Sequence, residues 1–427
     1  MRPKELHPAN DLSGEIVMPG DKSISHRAIM IGAIARGRTE AAGILDCDDC
    51  NFTIDAFRRM GVSIEKQGNV TAIDGVGLKG LKAPKGPLNV GNSGTTMRVL
   101  AGILAGQDFE VTLAGDNSLS ARPMKRVTEP LSLMGVEISA GPGGLPPVRI
   151  KGGRVRPIKY RLPVASAQVK SCVLFAGLYA DGMTEVSEPV RSRDHTERML
   201  KYFGADINLG SSGVSVNGGR ELTAKSLQVP GDISSASFFM AGASILMGSE
   251  ILIRGVGINP TRAGILNIMS RMGANIDVIS KKDTFEPSGD IIIKGSKTKG
   301  VVIEKDEIPA VIDELPVIFV LAALSDGKTV IRGAGELRVK ETDRIASMKY
   351  NLEKMGAVMN VEKDSIVIGG VRRLKGAGLK SFGDHRTCMA MAVAALAADG
   401  PSKIDDVECA SKSFPGFFDV FDKIGNR

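Results

Sequence analysis

Long apolar runs alternate along this chain with short polar clusters, glycines and stretches of strand-like alternation. Val317-Ile-Phe-Val-Leu-Ala-Ala-Leu324 and Met389-Ala-Met-Ala-Val-Ala-Ala-Leu-Ala-Ala398 are the clearest of the runs. A helix that is apolar nearly all round belongs inside a domain rather than on its face. An apolar helix followed by a glycine and a strand-like run recurs six times, with the glycines at Gly37, Gly106, Gly182, Gly248, Gly327 and Gly400. A second signature interleaves with the first: Arg59-Met-Gly-Val-Ser-Ile64, Leu133-Met-Gly-Val-Glu-Ile138, Tyr202-Phe-Gly-Ala-Asp-Ile207, Arg271-Met-Gly-Ala-Asn-Ile276 and Lys354-Met-Gly-Ala-Val-Met359, with Lys423-Ile-Gly425 as a truncated last copy. In this signature the glycine follows an amphipathic helix as a C′ residue does, and an alternating strand comes next. The repeating unit is helix, strand, helix, strand and a further strand, roughly 70 residues long.

Three such units wrapped around their own helices put sheets outside and helices within, and aim several helix N-termini at one end. Pro19-Gly-Asp21 recurs as Pro230-Gly-Asp232, each time just before a polar cluster and an apolar helix. Three repeats lie between these tripeptides and three follow the second. The sequence therefore predicts an α/β protein with an inserted domain, residues 22–230, and a discontinuous one, residues 1–21 with 231–427. The chain crosses twice without a long linker, as at a hinge, and the site is expected in the cleft between the domains. A length of 427 residues, too great for one ordinary core, agrees with two domains.

Composition narrows the partner. With 43% hydrophobic and 24% charged residues the chain is of the soluble globular class. A net charge of +7 suits an acidic partner, but 4% aromatics and no Trp leave little to stack on bases, so a small polyanion is preferred to nucleic acid. No apolar run reaches the roughly 18 residues of a membrane span. Residues 1–14 lack the apolar core of a signal peptide, and a cytoplasmic location is expected. The five cysteines are an odd number, and Cys47 and Cys50 form a lone C-x-x-C with no second pair or nearby His, which reads as structural thiols rather than a metal site. Gly75-Val-Gly-Leu-Lys-Gly80 fits a nucleotide-loop pattern, but Pro84 and Pro87 stand where its helix would run, so it reads as a loop.

The candidate chemistry sits in the polar clusters that open the six apolar helices. They are Lys22-Ser-Ile-Ser-His-Arg27, Asn92-Ser-Gly-Thr-Thr-Met-Arg98, Ala165-Ser-Ala-Gln-Val-Lys170, Asp232-Ile-Ser-Ser-Ala-Ser237, Asp313-Glu-Leu315 and Gly383-Asp-His-Arg386. The first follows Pro19 and Gly20, with a serine expected at the N-cap. Helix N-termini with free N–H groups, surrounded by basic side chains and few buried acids, make an anion site. Three more polar stretches do not open these helices. Asp116 to Arg126 carries Arg122 and Arg126; Arg193-Asp-His-Thr-Glu-Arg198 opens a second helix; Arg338-Val-Lys-Glu-Thr-Asp-Arg344 puts Lys340, Glu341 and Arg344 within one expected helical turn.

These clusters together resemble the EPSP synthase family of enolpyruvyl transferases. The resemblance runs from about Gly14 to Phe418 through PGDKSISHR, GNSGTTMR, ARPM, ASAQVKS, RDHTE, PGD, DELP, LRVKETDR, GDHR and KSFP. It implies a two-domain inside-out α/β barrel of six βαβαββ repeats, three per domain. It also implies transfer of the enolpyruvyl group of phosphoenolpyruvate to the 5-hydroxyl of shikimate 3-phosphate, with release of phosphate. Carried over residue by residue, it assigns shikimate 3-phosphate to Lys22, Ser23, Arg27, Ser166, Gln168, Arg193, Asp313 and Lys340. Phosphoenolpyruvate falls to Lys22, Gly94, Arg122, Gln168, Arg344, Arg386 and Lys412. Asp313 and Glu341 become the acid–base pair with Lys22 in support, and which acid moves which proton is left open. No metal or organic cofactor is implied. The expected partners are the two anionic substrates, with no nucleic acid and no membrane, and a monomer is expected.

The chain departs from many members at Ser166-Ala167-Gln168, where two adjacent serines are common, as does the glyphosate-tolerant branch; it keeps Gly94 where one tolerant type has alanine. A sister enzyme acting on UDP-N-acetylglucosamine uses a cysteine on a mobile loop, and residues 112–126 contain none. A basic RNA-binding protein is the alternative from another class.

Overall fold

The structure is a computed structural model that describes residues 2–210, 213–281 and 285–426. The chain divides into two compact units. One holds the residues up to Pro19 and those from Pro230 onward; the other holds Gly20–Val229. Phe285 and Glu286 belong with the second, although the strands on either side of them, Asn275–Ser280 and Ser288–Lys294, belong to the first. The repeated Pro-Gly-Asp tripeptide gives no sign of that excursion.

Among the described residues the strands form six sheets, three in each unit. In the inserted unit Leu88–Asn89 runs parallel to Glu110–Ala114, which pairs antiparallel with Leu145–Lys151, and Glu137–Gly141 completes the sheet. Lys159–Arg161, Met183–Ser187, Gly213–Asn217 and Asp206–Leu209 repeat the same order. The sheet built on Ala35–Ala42 takes its parallel neighbours from the far end of the unit, Leu222–Thr223 and Ser226–Gln228. In the outer unit Asp11–Val17 lies parallel to Glu250–Gly257. Each unit has its own apolar core.

The apolar runs form the helices Lys22–Ile34, Gly94–Leu104, Ala167–Gly177, Ile233–Ile245, Leu315–Ala323 and His385–Leu396. Every residue of the last two is buried, as expected of helices without a polar face. The Gly94 and Ala167 helices meet backbone to backbone, since a Cβ on Gly102 would stand 2.1 Å from the Cys172 carbonyl oxygen. Gly61, Gly135, Gly204, Gly273 and Gly356 all have φ between 83° and 90°. They are the C′ glycines of the Met-Gly and Phe-Gly signature, in the conformation a side chain would strain. Gly37 is different: the first helix ends at Ile34, so Gly37 falls inside the strand Ala35–Ala42. No helix among the described residues is long and apolar enough to cross a membrane.

Candidate active site

In the inserted unit the first helix is capped by Asp21, whose Oδ1 accepts from the Ile24 amide at 2.9 Å, and not by a serine. Ser25 is inside the helix and donates back to the Asp21 carbonyl at 2.8 Å. Lys22, in the first turn, reaches Asp49 Oδ2 on the helix Asp48–Arg59 at 3.0 Å. Arg27 is 3% exposed and donates from Nε to Thr196 Oγ1 (2.6 Å), from Nη1 to the Ser23 carbonyl (2.8 Å) and from Nη2 to Ser171 Oγ (2.8 Å). Burial lowers its pKa to about 10, with the Glu197 carboxylate opposing, and it stays charged at neutral pH. Its neighbour His26 has a pKa pushed down to about 3 by burial and is neutral. His26 Nδ1 meets Thr53 Oγ1 at 2.8 Å, and Thr53 meets Thr96 at 2.7 Å, which ties the Lys22 and Gly94 helices together.

The Gly94 helix is capped by Ser93, which accepts from the Thr96 amide at 3.1 Å. One turn in, Arg98 donates to Gln168 Oε1 at 2.9 Å, and Gln168 Nε2 donates to Thr95 Oγ1 at 3.0 Å. The close approach at Gly102 is what brings these two helix starts into register. Arg122, nearly buried, donates to Asn92 Oδ1 at 2.8 Å. Guanidinium groups thus flank Gly94, where an added Cβ would stand 2.9 Å from Arg98 Nη1 and 3.4 Å from Arg122 Nη1. Ser166 caps the Ala167 helix, accepting from the Val169 amide at 3.4 Å. Lys170 is buried between Glu188 (2.5 Å) and Glu197 (2.8 Å) and braces that helix against the helix His195–Tyr202. Arg193 is half-buried, two residues ahead of the latter helix.

In the outer unit the site is built around Arg344. Its Nε donates to Asp384 Oδ2 at 2.9 Å, its Nη1 to Asp313 Oδ1 at 3.3 Å and its Nη2 to Glu341 Oε2 at 2.5 Å. Burial alone would lower its pKa, but Asp384, Glu341 and Asp313 together raise it far above the usual arginine range. Arg386 donates to the Asp313 carbonyl at 2.8 Å and approaches Asp313 Oδ1 at 3.6 Å. Lys412 donates to the Gly383 carbonyl at 3.0 Å. Lys340, Glu341 and Arg344 do not share a helical turn. Asp343 accepts from the Ile345 and Ala346 amides at 3.0 Å, so the helix starts at Arg344, and Lys340 and Glu341 lie between it and the 3₁₀ turn Ala334–Val339.

The helix starts are also more acidic than the sequence leads one to expect. Asp21, Asp232 and Asp384 cap three of the six and are buried, and Glu314 is buried at a fourth. The three aspartates take up backbone N–H groups that would otherwise face an anion, whereas Glu314 makes no side-chain capping bond. Arg262 balances two of these carboxylates, with Nη1 2.8 Å from Glu314 Oε1 and Nη2 3.3 Å from Asp232 Oδ1. The positive charge of these clusters therefore comes from their basic side chains more than from the helix ends. Within each unit the expected residues do come together: Lys22 with Ser23 and Arg27, Gly94 with Arg122 and Gln168, and Asp313 with Glu341, Arg344 and Arg386. Arg98, Thr196 and Asp384, members of the polar clusters with no role assigned to them, complete these groups, as does Asp49 from outside the clusters. Arg98 was the most legible of them, four residues after Gly94 and so on the same helix face.

Comparison with known proteins gives a consistent result. The family profile described as EPSP synthase (3-phosphoshikimate 1-carboxyvinyltransferase) matches residues 6–421. The 3-phosphoshikimate 1-carboxyvinyltransferase of Geobacter sulfurreducens is 51% identical over 423 residues, covering 99% of each chain. That of Geotalea uraniireducens is 50% identical over 426 residues, again covering 99% of each. Among solved structures, the EPSP synthase of Acinetobacter baumannii superposes with a TM-score of 0.90 at 45% identity, covering 100% of this chain and 98% of that one. The enolpyruvyl transferase NikO of Streptomyces tendae, at 18% identity and a TM-score of 0.79, shares the fold.

Proposed function

The chain belongs to the EPSP synthase (3-phosphoshikimate 1-carboxyvinyltransferase) family, and from that premise we infer how its own residues divide the reaction. The enzyme transfers the enolpyruvyl group of phosphoenolpyruvate to the 5-hydroxyl of shikimate 3-phosphate and releases phosphate, a step of the shikimate pathway toward the aromatic amino acids. In the addition step the hydroxyl gives up a proton as its oxygen bonds to the enol carbon, and the methylene carbon gains one. In the elimination step the new methyl group gives a proton back as phosphate leaves. The hydroxyl needs a base to take its proton, and the methylene carbon needs a group that first donates a proton and then takes one back, each typically worth 10²–10⁴-fold.

The observation that carries our assignment is the single guanidinium of Arg344, which holds Asp313 and Glu341 side by side. We assign the proton transfers to that pair, supported by Lys22. Shikimate 3-phosphate falls to Lys22, Ser23, Arg27, Ser166, Gln168, Arg193, Asp313 and Lys340. Phosphoenolpyruvate falls to Lys22, Gly94, Arg122, Gln168, Arg344, Arg386 and Lys412. Arg27 already commits three of the five N–H of its guanidinium within the protein, so its contribution is that of an aimed charge with the remaining donors. Each substrate phosphate carries about −1.5 to −2 charges at neutral pH, which accounts for the number of cations.

As part of the same proposal, the six sheets with their buried helices are a two-domain inside-out α/β barrel of six βαβαββ repeats. The buried helices and the recurring parallel–antiparallel strand order support it. The enzyme is further proposed to be a cytoplasmic monomer acting on soluble anions. Phosphate release from phosphoenolpyruvate with shikimate 3-phosphate tests the reaction, and UDP-N-acetylglucosamine is the control acceptor. Release with the nucleotide sugar instead would overturn it.

A further inference from the structure

Phe285 and Glu286 have no part in the assignment above, yet both are built into the inserted unit. Phe285 joins its apolar core and stacks on Tyr202, with ring centroids 5.4 Å apart and planes 25° from parallel. Glu286 Oε1 lies 2.7 Å from His195 Nδ1, and the two side chains are 2% and 1% exposed. A carboxylate can only accept, so Nδ1 carries the shared hydrogen. His195 is the first residue of the helix His195–Tyr202, whose N-cap residue, Asp194, makes no side-chain capping bond. Instead Asp194 is occupied by Arg198 at 2.9 Å and Arg191 at 3.1 Å. The start of this helix is thus pinned through its first side chain rather than through a cap.

That helix start locates two groups assigned to shikimate 3-phosphate. Arg193 stands two residues before His195, and the next residue, Thr196, takes the Nε hydrogen of Arg27 at 2.6 Å. Thr196 also meets Ser171 Oγ at 2.6 Å, the second anchor of Arg27. The Glu286 carboxylate further favours the charged form of Arg27 through space. We propose that Glu286 is a positioning residue for shikimate 3-phosphate: acting through His195, it fixes the start of the His195 helix and with it the directions of Arg193 and Arg27. This rests on the assignment of those two arginines to that substrate.

Steady-state kinetics and calorimetric binding on the full chain test this with Glu286→Gln, which keeps shape and an acceptor oxygen but removes the charge. The KM and the dissociation constant for shikimate 3-phosphate should rise by about tenfold or more, while kcat and the KM for phosphoenolpyruvate move by less than about threefold. A general loss of packing would not separate the two substrates. Equal rises in both KM values, or a shikimate 3-phosphate KM within about twofold of wild type, would overturn the proposal. If Glu286→Gln does not fold, the His195 variants decide. The amide nitrogen of asparagine stands where Nδ1 does and that of glutamine where Nε2 does, so His195→Asn should retain more affinity for shikimate 3-phosphate than His195→Gln. Equal losses in the two would again overturn it. A wild-type protein inert toward both substrates would sink the functional reading and this inference together, whereas an active one with an unmoved Glu286→Gln sinks the inference alone.

Discussion

Arg344 Nε and Asp384 Oδ2 are 2.9 Å apart, with side chains 1% and 0% exposed. Because Asp384 also caps the His385 helix, this one bond joins the helix start to the proposed acid–base pair. Removing one member of a buried ion pair strands the other, at a cost of about 3–5 kcal/mol. Arg344→Met should therefore lower unfolding free energy by that amount as well as abolish turnover. Urea denaturation at neutral pH measures it. A loss under about 1 kcal/mol would mean that Asp384, Asp313 and Glu341 find other partners.

Glu341→Gln should leave both substrates bound and lower kcat by at least about 10²-fold, because the amide keeps the shape but exchanges no proton. Since its carboxylate already rests on Arg344 at 2.5 Å, some stability will also be lost, and circular dichroism on the same sample separates the two effects. Turnover near wild type in a folded variant would make Glu341 a partner of Arg344 and nothing more.

The regular parts of this fold were legible because they repeat. The Met-Gly and Phe-Gly glycines needed only the rule that a helix ends in a left-handed residue, and the all-apolar runs needed only the rule that a helix without a polar face is buried. The capping residues were read less well. A serine and an aspartate both cap, and only the backbone angles at Asp21 show that the helix starts one residue before the serines begin. The turn assumed for Lys340, Glu341 and Arg344 failed for a related reason, since Asp343 within that stretch is itself a cap. Long-range pairs such as Arg344–Asp384 and Glu286–His195 join residues that share no local pattern. No periodicity could have found them.

Gly94→Ala bears on inhibition by glyphosate, which the family resemblance places in the phosphoenolpyruvate site. The added methyl would press first on Arg98, which Gln168 holds at 2.9 Å, and next on Arg122. Overpacking of this kind costs about 1–3 kcal/mol, or roughly 5- to 150-fold in affinity. The inhibition constant for glyphosate, a longer molecule than phosphoenolpyruvate, should rise by more than the KM for phosphoenolpyruvate. Steady-state inhibition kinetics on the purified variant decide it, and equal factors would mean that the methyl does not discriminate by length.

His26 makes stability depend on pH. Its folded pKa is about 3 against 6.5 for the free side chain, because burial disfavours the charged ring. Below pH 6.5 the unfolded chain takes up a proton that the folded chain refuses, so the contribution is whole above that pH and is lost progressively as pH falls toward 3. Between pH 7 and pH 5 this group should cost about 2 kcal/mol. His26→Asn, which can still bond Thr53, should flatten that part of the profile in urea titrations at the two pH values. An unchanged slope would assign the dependence to other groups.

The Leu12 amide donates to Ser249 Oγ, 237 positions further along the chain. On a ribosome, the strand Asp11–Val17 therefore leaves the tunnel long before its parallel neighbour Glu250–Gly257 has been made. The inserted unit is translated almost whole in the interval and can bury its own core while the first strand waits with a bare edge, a condition that invites pairing with other chains. Yet even the inserted unit is not finished when Val229 emerges. His195 has to wait for Glu286, so a buried hydrogen bond of the inserted unit forms only after part of the outer unit has been made.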